Sequence, residues 1–264
     1  MLKVHSYEDM TQVELYNRMF GMTLKTSIYF IDGLLIDTGT IRKKKQLIPM
    51  FKSWSIDKVL LTHHHEDHSG LAHWLVAEKN VPLYCHELGI SKGVAKSRLP
   101  LYRRIFWGPK KPYQANVVNE TLSTNNYMWQ IIHTPGHAKD HIALYNANKR
   151  WLFGGDLYVQ RKPKSMFSFE SVPELIKSLE TILTYDFTTY ICSHVGIIEK
   201  GRQVIEEKLS YLRSIQDEIL FLHEKGMTHT DIRKKLFPER HMIQYFSLFD
   251  NSPVHLIRSV INKR

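Results

Sequence analysis

A chain of 264 residues with 43 % apolar content can bury one large core, alone or with a small appendage, which excludes fibrous and disordered classes. Its two cysteines, Cys85 and Cys192, stand far apart and outside any C-x-x-C spacing, so neither a disulfide framework nor a thiolate zinc site is indicated. The formal net charge of +10 favours acidic partners, whether nucleic acid or a phosphorylated or carboxylate-bearing small molecule, without choosing between them.

From the N-terminus, Lys3, His5, Glu8, Asp9, Glu14 and Arg18 break any apolar run long enough for a signal peptide or a membrane span. No membrane association and a cytoplasmic location are therefore expected. Leu24 to Ile31 and Leu34 to Ile36 flank Asp32-Gly33 and predict a hairpin, because Asp-Gly supplies the positive φ angles of a two-residue turn. The second strand ends at Asp37-Thr38-Gly39. Lys58 to Thr62 reads as a strand stopped by a histidine cluster, and Ser69 to Lys79 carries Leu71, Trp74 and Leu75 at helical spacing. Pro82 to Cys85 restores a strand.

Further strands are predicted over Trp129 to His133, Ile142 to Tyr145, Arg150 to Phe153 and Thr188 to Cys192, with an amphipathic helix over Pro173 to Tyr185. A long helix follows over Gln203 to Lys225, and Thr228 with Asp231 forms a capping box for another. The expected organisation is a mixed α/β domain over residues 1–200 and a C-terminal helical extension over 201–264.

Fifteen histidines are many for this length, and several cluster. His63-x-His65-x-Asp67-His68 brings three imidazoles and a carboxylate into six residues, the ligand types favoured by zinc and related divalent ions. In an extended segment His63 and His65 project to one side and can share an ion, while Asp67 and His68 turn toward a second. His137, Asp156 and His194 each lie just past a predicted strand end, as the cluster itself does, so one edge of a sheet assembly would gather them all.

Thr62 to Gly70 closely resembles the T-H-H-H-x-D-H-x-G motif of glyoxalase II and its relatives in the metallo-β-lactamase superfamily. Thr134-Pro135-Gly136-His137, Gly155-Asp156 and Ser193-His194 follow in the order of that superfamily's later motifs, and Asp37-Thr38-Gly39 matches its early D-T-G. The resemblance spans about residues 20–200. It implies a four-layer αββα sandwich with two divalent ions, zinc foremost and iron or manganese as alternatives, in a groove at its edge. It also implies that His63, His65 and His137 hold one ion, that Asp67, His68 and His194 hold the other with Asp156 bridging, and that Asp37 supports the ligands from behind. His64, Glu66 and His141 are read as structural neighbours rather than ligands.

The chemistry implied is attack of metal-activated water on an ester-type carbonyl, that of a thioester, lactone or related acyl substrate, with Asp67 orienting the water. Tyr158, two residues past Asp156, is a candidate for placing a phenol over a substrate oxyanion. Between Lys92 and Tyr113 seven Lys or Arg residues alternate with aromatics, which makes Arg103, Arg104 and Trp107 candidates for gripping an anionic, partly apolar ligand. The alternatives from other classes are a metal-dependent single-strand endoribonuclease, to which Thr134 to His141 and the basic charge also point, iron-dependent oxygen chemistry on the same ligands, and a non-catalytic metal-binding module. Oligomeric state is not addressed by the sequence.

Overall fold

The chain opens as a meander in which β1 (Leu2–Tyr7), β2 (Met10–Met19), β3 (Met22–Ile31) and β4 (Leu34–Ile36) pair antiparallel in sequence order. The structure is a computed structural model and describes residues 1–19, 21–96 and 98–262, so the last two residues of the expected 201–264 segment lie outside it. Asp32 and Gly33 both take positive φ, 47° and 78°, closing the β3–β4 hairpin as their pairing predicts. The long β1 and β2 carried no separate expectation from the sequence. β1 is exposed over most of its length and β2 buries the polar Gln12 and Asn17, which blurs the alternation that marks a strand.

Three short parallel strands extend this sheet: β5 (Lys58–Leu60), β6 (Leu83–Cys85) and β7 (Asn116–Val117). The connections carry α1 (Lys44–Ser53), α2 (Ala72–Ala77), α3 (Glu87–Val94) and α4 (Leu101–Phe106). A second sheet holds β8 (Thr121–Ser123), β9 (Met128–His133), β10 (Ile142–Asn146), β11 (Trp151–Gly155), β13 (Thr189–Cys192) and β14 (Gly196–Ile198), in the order β14-β13-β11-β10-β9-β8. A small ribbon pairs β12 (Met166–Phe167) with β15 (Asn251–Ser252). The remaining helices are α5 (Val172–Leu183), α6 (Gly201–Glu224), α7 (His229–Leu236), α8 (Met242–Phe246) and α9 (Pro253–Ile261). Thr228 caps α7 by accepting from the Asp231 amide, and its hydroxyl meets the Asp231 carboxylate at 2.6 Å.

Side-chain alternation sorts the strands into layers. Leu34 and Ile36 point inward with Leu60, Trp129, Ile142, Leu144 and Phe153, forming a core between the two sheets. Leu35 and Val59 point outward onto Leu47, Phe51 and Leu75 of the first helical layer. On the far face Ala143, Leu152 and Tyr190 meet Leu179 and Ile182 of α5, Ile205 and Leu212 of α6 and Ile257 of α9. The result is the expected αββα sandwich. The helices after residue 200 share one apolar cluster with the second sheet.

The sheets are tied at one edge: Ile142 N donates to Thr62 O (2.9 Å), Ser27 N to Ser193 O (2.5 Å) and the Tyr29 hydroxyl to Cys192 O (2.6 Å). These ties lie where β5 and β13 end and β10 begins. Among the described residues no helix is long and apolar enough to cross a membrane.

Phe153 sits in the middle of the inter-sheet core, 1 % exposed, with edge-on ring contacts to Tyr29 and Trp129 at 5.4 Å each. Phe153→Ala is expected to lower unfolding free energy by about 3–5 kcal/mol, the cost of lost transfer energy plus a cavity. Urea denaturation of the two proteins checks this, and Phe153→Leu should recover a large part of the loss.

Candidate metal centre

β4 runs into Asp37, which is buried and holds φ at 60°, a left-handed conformation that Asp tolerates better than most residues. Its Oδ1 accepts from Thr62 N at 2.8 Å, while its Oδ2 lies 2.9 Å from Thr62 Oγ1 and 2.7 Å from His68 Nδ1. Thr62 and His68 bound the histidine loop, so one carboxylate closes that loop on itself. Within it the Ser69 hydroxyl donates to the carbonyls of His64 and His65 at 2.9 Å each, and His68 O accepts from Thr38 N at 2.6 Å.

The loop and three other strand-end turns bring all seven expected ligand residues together. His65 Nδ1 lies 2.9 Å from His63 Nε2 and 3.1 Å from His137 Nε2. Asp156 Oδ2 lies 3.0 Å from His194 Nε2, 3.3 Å from His137 Nε2, 3.4 Å from His68 Nε2 and 4.0 Å from His63 Nε2. Asp67 Oδ2 lies 3.6 Å from His68 Nε2 and 3.7 Å from His194 Nε2. The ligand atoms fall into three overlapping groups, each within 4.8 Å: His63, His65 and His137; His63, His68 and Asp156; Asp67, His68 and His194.

Asp156 reaches the centre through a local irregularity. The β11–β13 register shifts between Phe153 and Gly155, and Gly155 adopts φ 48°. A Cβ at Gly155 would stand 2.5 Å from His141 Nε2, the atom that accepts from the Asp156 amide at 3.0 Å. Only glycine permits that approach.

The rear nitrogens of three rings are held from outside. His68 Nδ1 meets Asp37, His137 Nδ1 meets Glu170 Oε1 at 2.7 Å, and His194 Nδ1 meets Lys25 O at 2.5 Å. Such partners fix ring orientation and tautomer and raise the basicity of the inward nitrogen. Glu170 has no motif around it in the sequence. It is recruited by the turn after β12, where its other oxygen accepts from Phe167 N at 2.8 Å.

Burial holds the pKa values of His63 and His65 well below the usual imidazole range, with neighbouring positive charge adding to it. These rings are neutral and converge lone pairs on one region. Burial also opposes charge on His68 and His194, but the carboxylate of Asp156 outweighs it, holding His68 well above the usual value and His194 at about 8. Burial would raise Asp156, yet His194 and His68 hold it well below the usual carboxylate range. His68 Nε2 and Asp156 Oδ1 are buried without a hydrogen-bond partner, and a buried polar atom left so is costly. Neutral imidazoles, carboxylates and two orphaned donor atoms in one closed space fit divalent metal ions, whose binding displaces ligand protons.

A cavity of about 450 Å³ opens on the ligands. Its lining holds His65, Asp67, His137, Asp156 and His194 together with Tyr102, Phe106, Trp107, Phe167 and Phe169, and the Phe169 ring stands edge-on to His65 with centroids 5.0 Å apart. Among the expected substrate contacts, Arg103 and Trp107 line this cavity, whereas Arg104 and Tyr158 are not part of its lining. Arg104 is exposed, and Tyr158 is buried beneath Lys208, whose Nζ lies 5.7 Å from the ring centroid. Arg103 is bound to Glu66, Nε to Oε1 at 2.5 Å and Nη2 to Oε2 at 3.0 Å, and its guanidinium also covers the Phe169 ring. The variable motif positions thus fasten the loop to its surroundings: Glu66 to α4, and His64 to Asp140 at 2.8 Å. Lys110 donates to His64 O at 2.9 Å, and burial pushes its amine down to about 8.

Comparison with known proteins agrees with this arrangement. The family model for the metallo-beta-lactamase superfamily matches residues 22–194. The chain is 30 % identical over 211 residues to the beta-lactamase-like protein 2 homolog of Drosophila melanogaster, covering 76 % of this chain and 69 % of that one. It is 28 % identical over 146 residues to a hydroxyacylglutathione hydrolase of Idiomarina loihiensis, covering 53 % of this chain and about half, 47 %, of the relative. Among solved structures, a metallo-beta-lactamase family protein from Thermus thermophilus superposes with a TM-score of 0.66 at 19 % identity, covering 95 % of this chain and 93 % of that one. A metallo-beta-lactamase from Pontibacter korlensis superposes with a TM-score of 0.64 at 18 % identity over 81 % of this chain and 99 % of its own. The matched span contains every ligand candidate and the strands that lead into them, and the chain belongs to the metallo-β-lactamase superfamily, as a metal-dependent hydrolase.

Proposed function

We propose that the chain is a dinuclear hydrolase of ester-type carbonyls, of the thioester or lactone kind. In this reading His63, His65 and His137 hold one divalent ion, Asp67, His68 and His194 hold the other, and Asp156 stands between them. The observation that carries the reading is the cavity: a space of about 450 Å³ lined by both the ligand cluster and several aromatic rings suits a small acyl compound. The similarity to hydroxyacylglutathione hydrolases supports it as well.

The cations of the 92–113 segment bear on the choice between acyl substrate and nucleic acid. Arg103 is taken up by Glu66, Lys110 by the His64 carbonyl, and Arg104 stands away from the cavity. A strand of RNA would need a continuous basic track with stacking platforms, and this segment presents mainly its aromatic side to the ligands.

Bound divalent ions, zinc foremost and iron or manganese with the same donors, would supply a water acidic enough to lose its proton near neutral pH and would polarise a carbonyl oxygen. The chain does the rest. Asp67, fixed beside His68 and His194 and within 3.4 Å of the Thr26 hydroxyl, would orient such a water and accept its proton. The aromatic wall excludes bulk water and orients the acyl body. Asp37, Glu170 and the Lys25 carbonyl keep the imidazoles aimed while charge builds up on the substrate oxygen.

The zinc-loaded protein is expected to turn over members of a thioester and lactone panel, to lose this on chelation and to regain it with zinc. Asp67→Ala should lower kcat by roughly 10²–10⁴-fold. Cleavage of labelled single-stranded RNA with no acyl turnover would replace this reading by the nuclease one. Asp37→Asn keeps the size of the side chain but removes its charge; competition with a zinc chelator should show zinc affinity reduced roughly 10- to 100-fold.

A further inference from the structure

The apolar stripe of α6 is interrupted by a charge. Its buried positions include Ile205, Leu209, Leu212, Ile215 and Ile219, and among them stands Lys208, only 4 % exposed. Lysine is almost never buried so completely without an ionic partner, because desolvating an ammonium is costly. Lys208 belongs to no ion pair among the described residues. Its Nζ donates to Leu157 O at 2.6 Å and lies over the Tyr158 ring. Burial lowers its pKa to about 8, so it remains largely protonated at neutral pH. It lines the same cavity as the metal-ligand candidates, and its hydrogen bond is to the residue next to Asp156. One ammonium proton is used on Leu157, which leaves two.

The other lysine or arginine in the cavity lining, Arg103, is already matched by Glu66. Lys208 is then the one lysine or arginine of that lining without an ion pair among the described residues, with the carboxylates of Glu170 and Asp156 acting on it only from a distance.

We propose that Lys208 is the anion-binding and specificity-determining residue of the cavity, and that the site favours acyl substrates whose apolar body carries a carboxylate. The substrate class rests on the acyl-hydrolase reading; the anion site itself does not. A carboxylate in this position would accept from the free ammonium protons and complete a buried ion pair, a geometry in which a charged hydrogen bond is worth most.

The test uses thioesters in matched pairs, one member with a free carboxylate on a phenylalkyl acyl chain and the other with that carboxylate methylated. Beside them, calorimetric binding of 3-phenylpropanoate is compared with that of 3-phenylpropanamide, all on zinc-loaded protein. Wild type should prefer the free carboxylate. Lys208→Met and Lys208→Gln should each reduce that preference roughly 10- to 100-fold, mainly through KM, and should weaken binding of the propanoate relative to the amide. Lys208→Met should keep or raise the thermal midpoint, since replacing a buried unpaired cation by an apolar chain of similar volume removes a desolvation cost.

Equal handling of both pair members by wild type and variants overturns the proposal while leaving acyl hydrolysis standing. Loss of folding in Lys208→Met with wild-type preference in Lys208→Gln also overturns it, assigning the amine to the Leu157 hydrogen bond alone. If no thioester reacts but propanoate binding still depends on Lys208, the acyl reading fails and the anion site stands.

Discussion

The centre depends on one buried carboxylate that touches no substrate. Asp37 receives the Thr62 amide and hydroxyl and the His68 imidazole, and so fixes both ends of the segment that supplies most of the candidate ligands. A carboxylate is suited to this because it accepts several hydrogen bonds at once, and charge strengthens each of them. Its backbone is held in a left-handed conformation, a strain that persists only where surroundings over-determine it. Here those surroundings are the end of β4, the histidine loop and the Thr38–His68 bond.

A second constraint is geometric. Four turns that leave strand ends must converge although they belong to two sheets and lie up to 131 residues apart, from His63 to His194. Hydrogen bonds across the sheet edge at Thr62, Cys192 and Ser193 hold the two sheets in register there. The packed aromatic core beneath makes the edge rigid. Ligands carried on a rigid frame keep their geometry as charge develops, which is what separates a catalytic centre from a loose cluster of histidines.

The cavity wall is assembled differently. α4 comes from the first half of the chain and is pinned by Arg103 to the histidine loop and by the Tyr102 hydroxyl to Asp250 at 2.6 Å. The helices beyond residue 200 supply Lys208 and Ile243 to the same cavity, and β15 supplies Asn251. The cavity wall is thus shared between α4 and a C-terminal segment, whereas the metal-ligand candidates come from the strand-end turns.

Motif and periodicity alone picked out the seven ligand candidates that the structure brings together, the β3–β4 hairpin and the alternation of strands with helices. These are local: Asp-Gly has its own turn preference, a two-residue repeat marks a strand, and imidazoles spaced along one loop advertise a metal wherever they are found. The early strands β1 and β2 were not legible, because β1 is largely exposed and the polar Gln12 and Asn17 lie buried in β2. Neither were Glu170, found only by following the rear nitrogen of His137, or Lys208, whose place in an amphipathic helix looks in sequence like one more solvated cation. Tyr158 and Arg104 stood near candidate site residues yet outside the cavity lining, Tyr158 buried beneath Lys208 and Arg104 exposed on α4. What a side chain can do depends on what surrounds it at a few ångströms, and for residues far apart in the chain only packing brings those surroundings together.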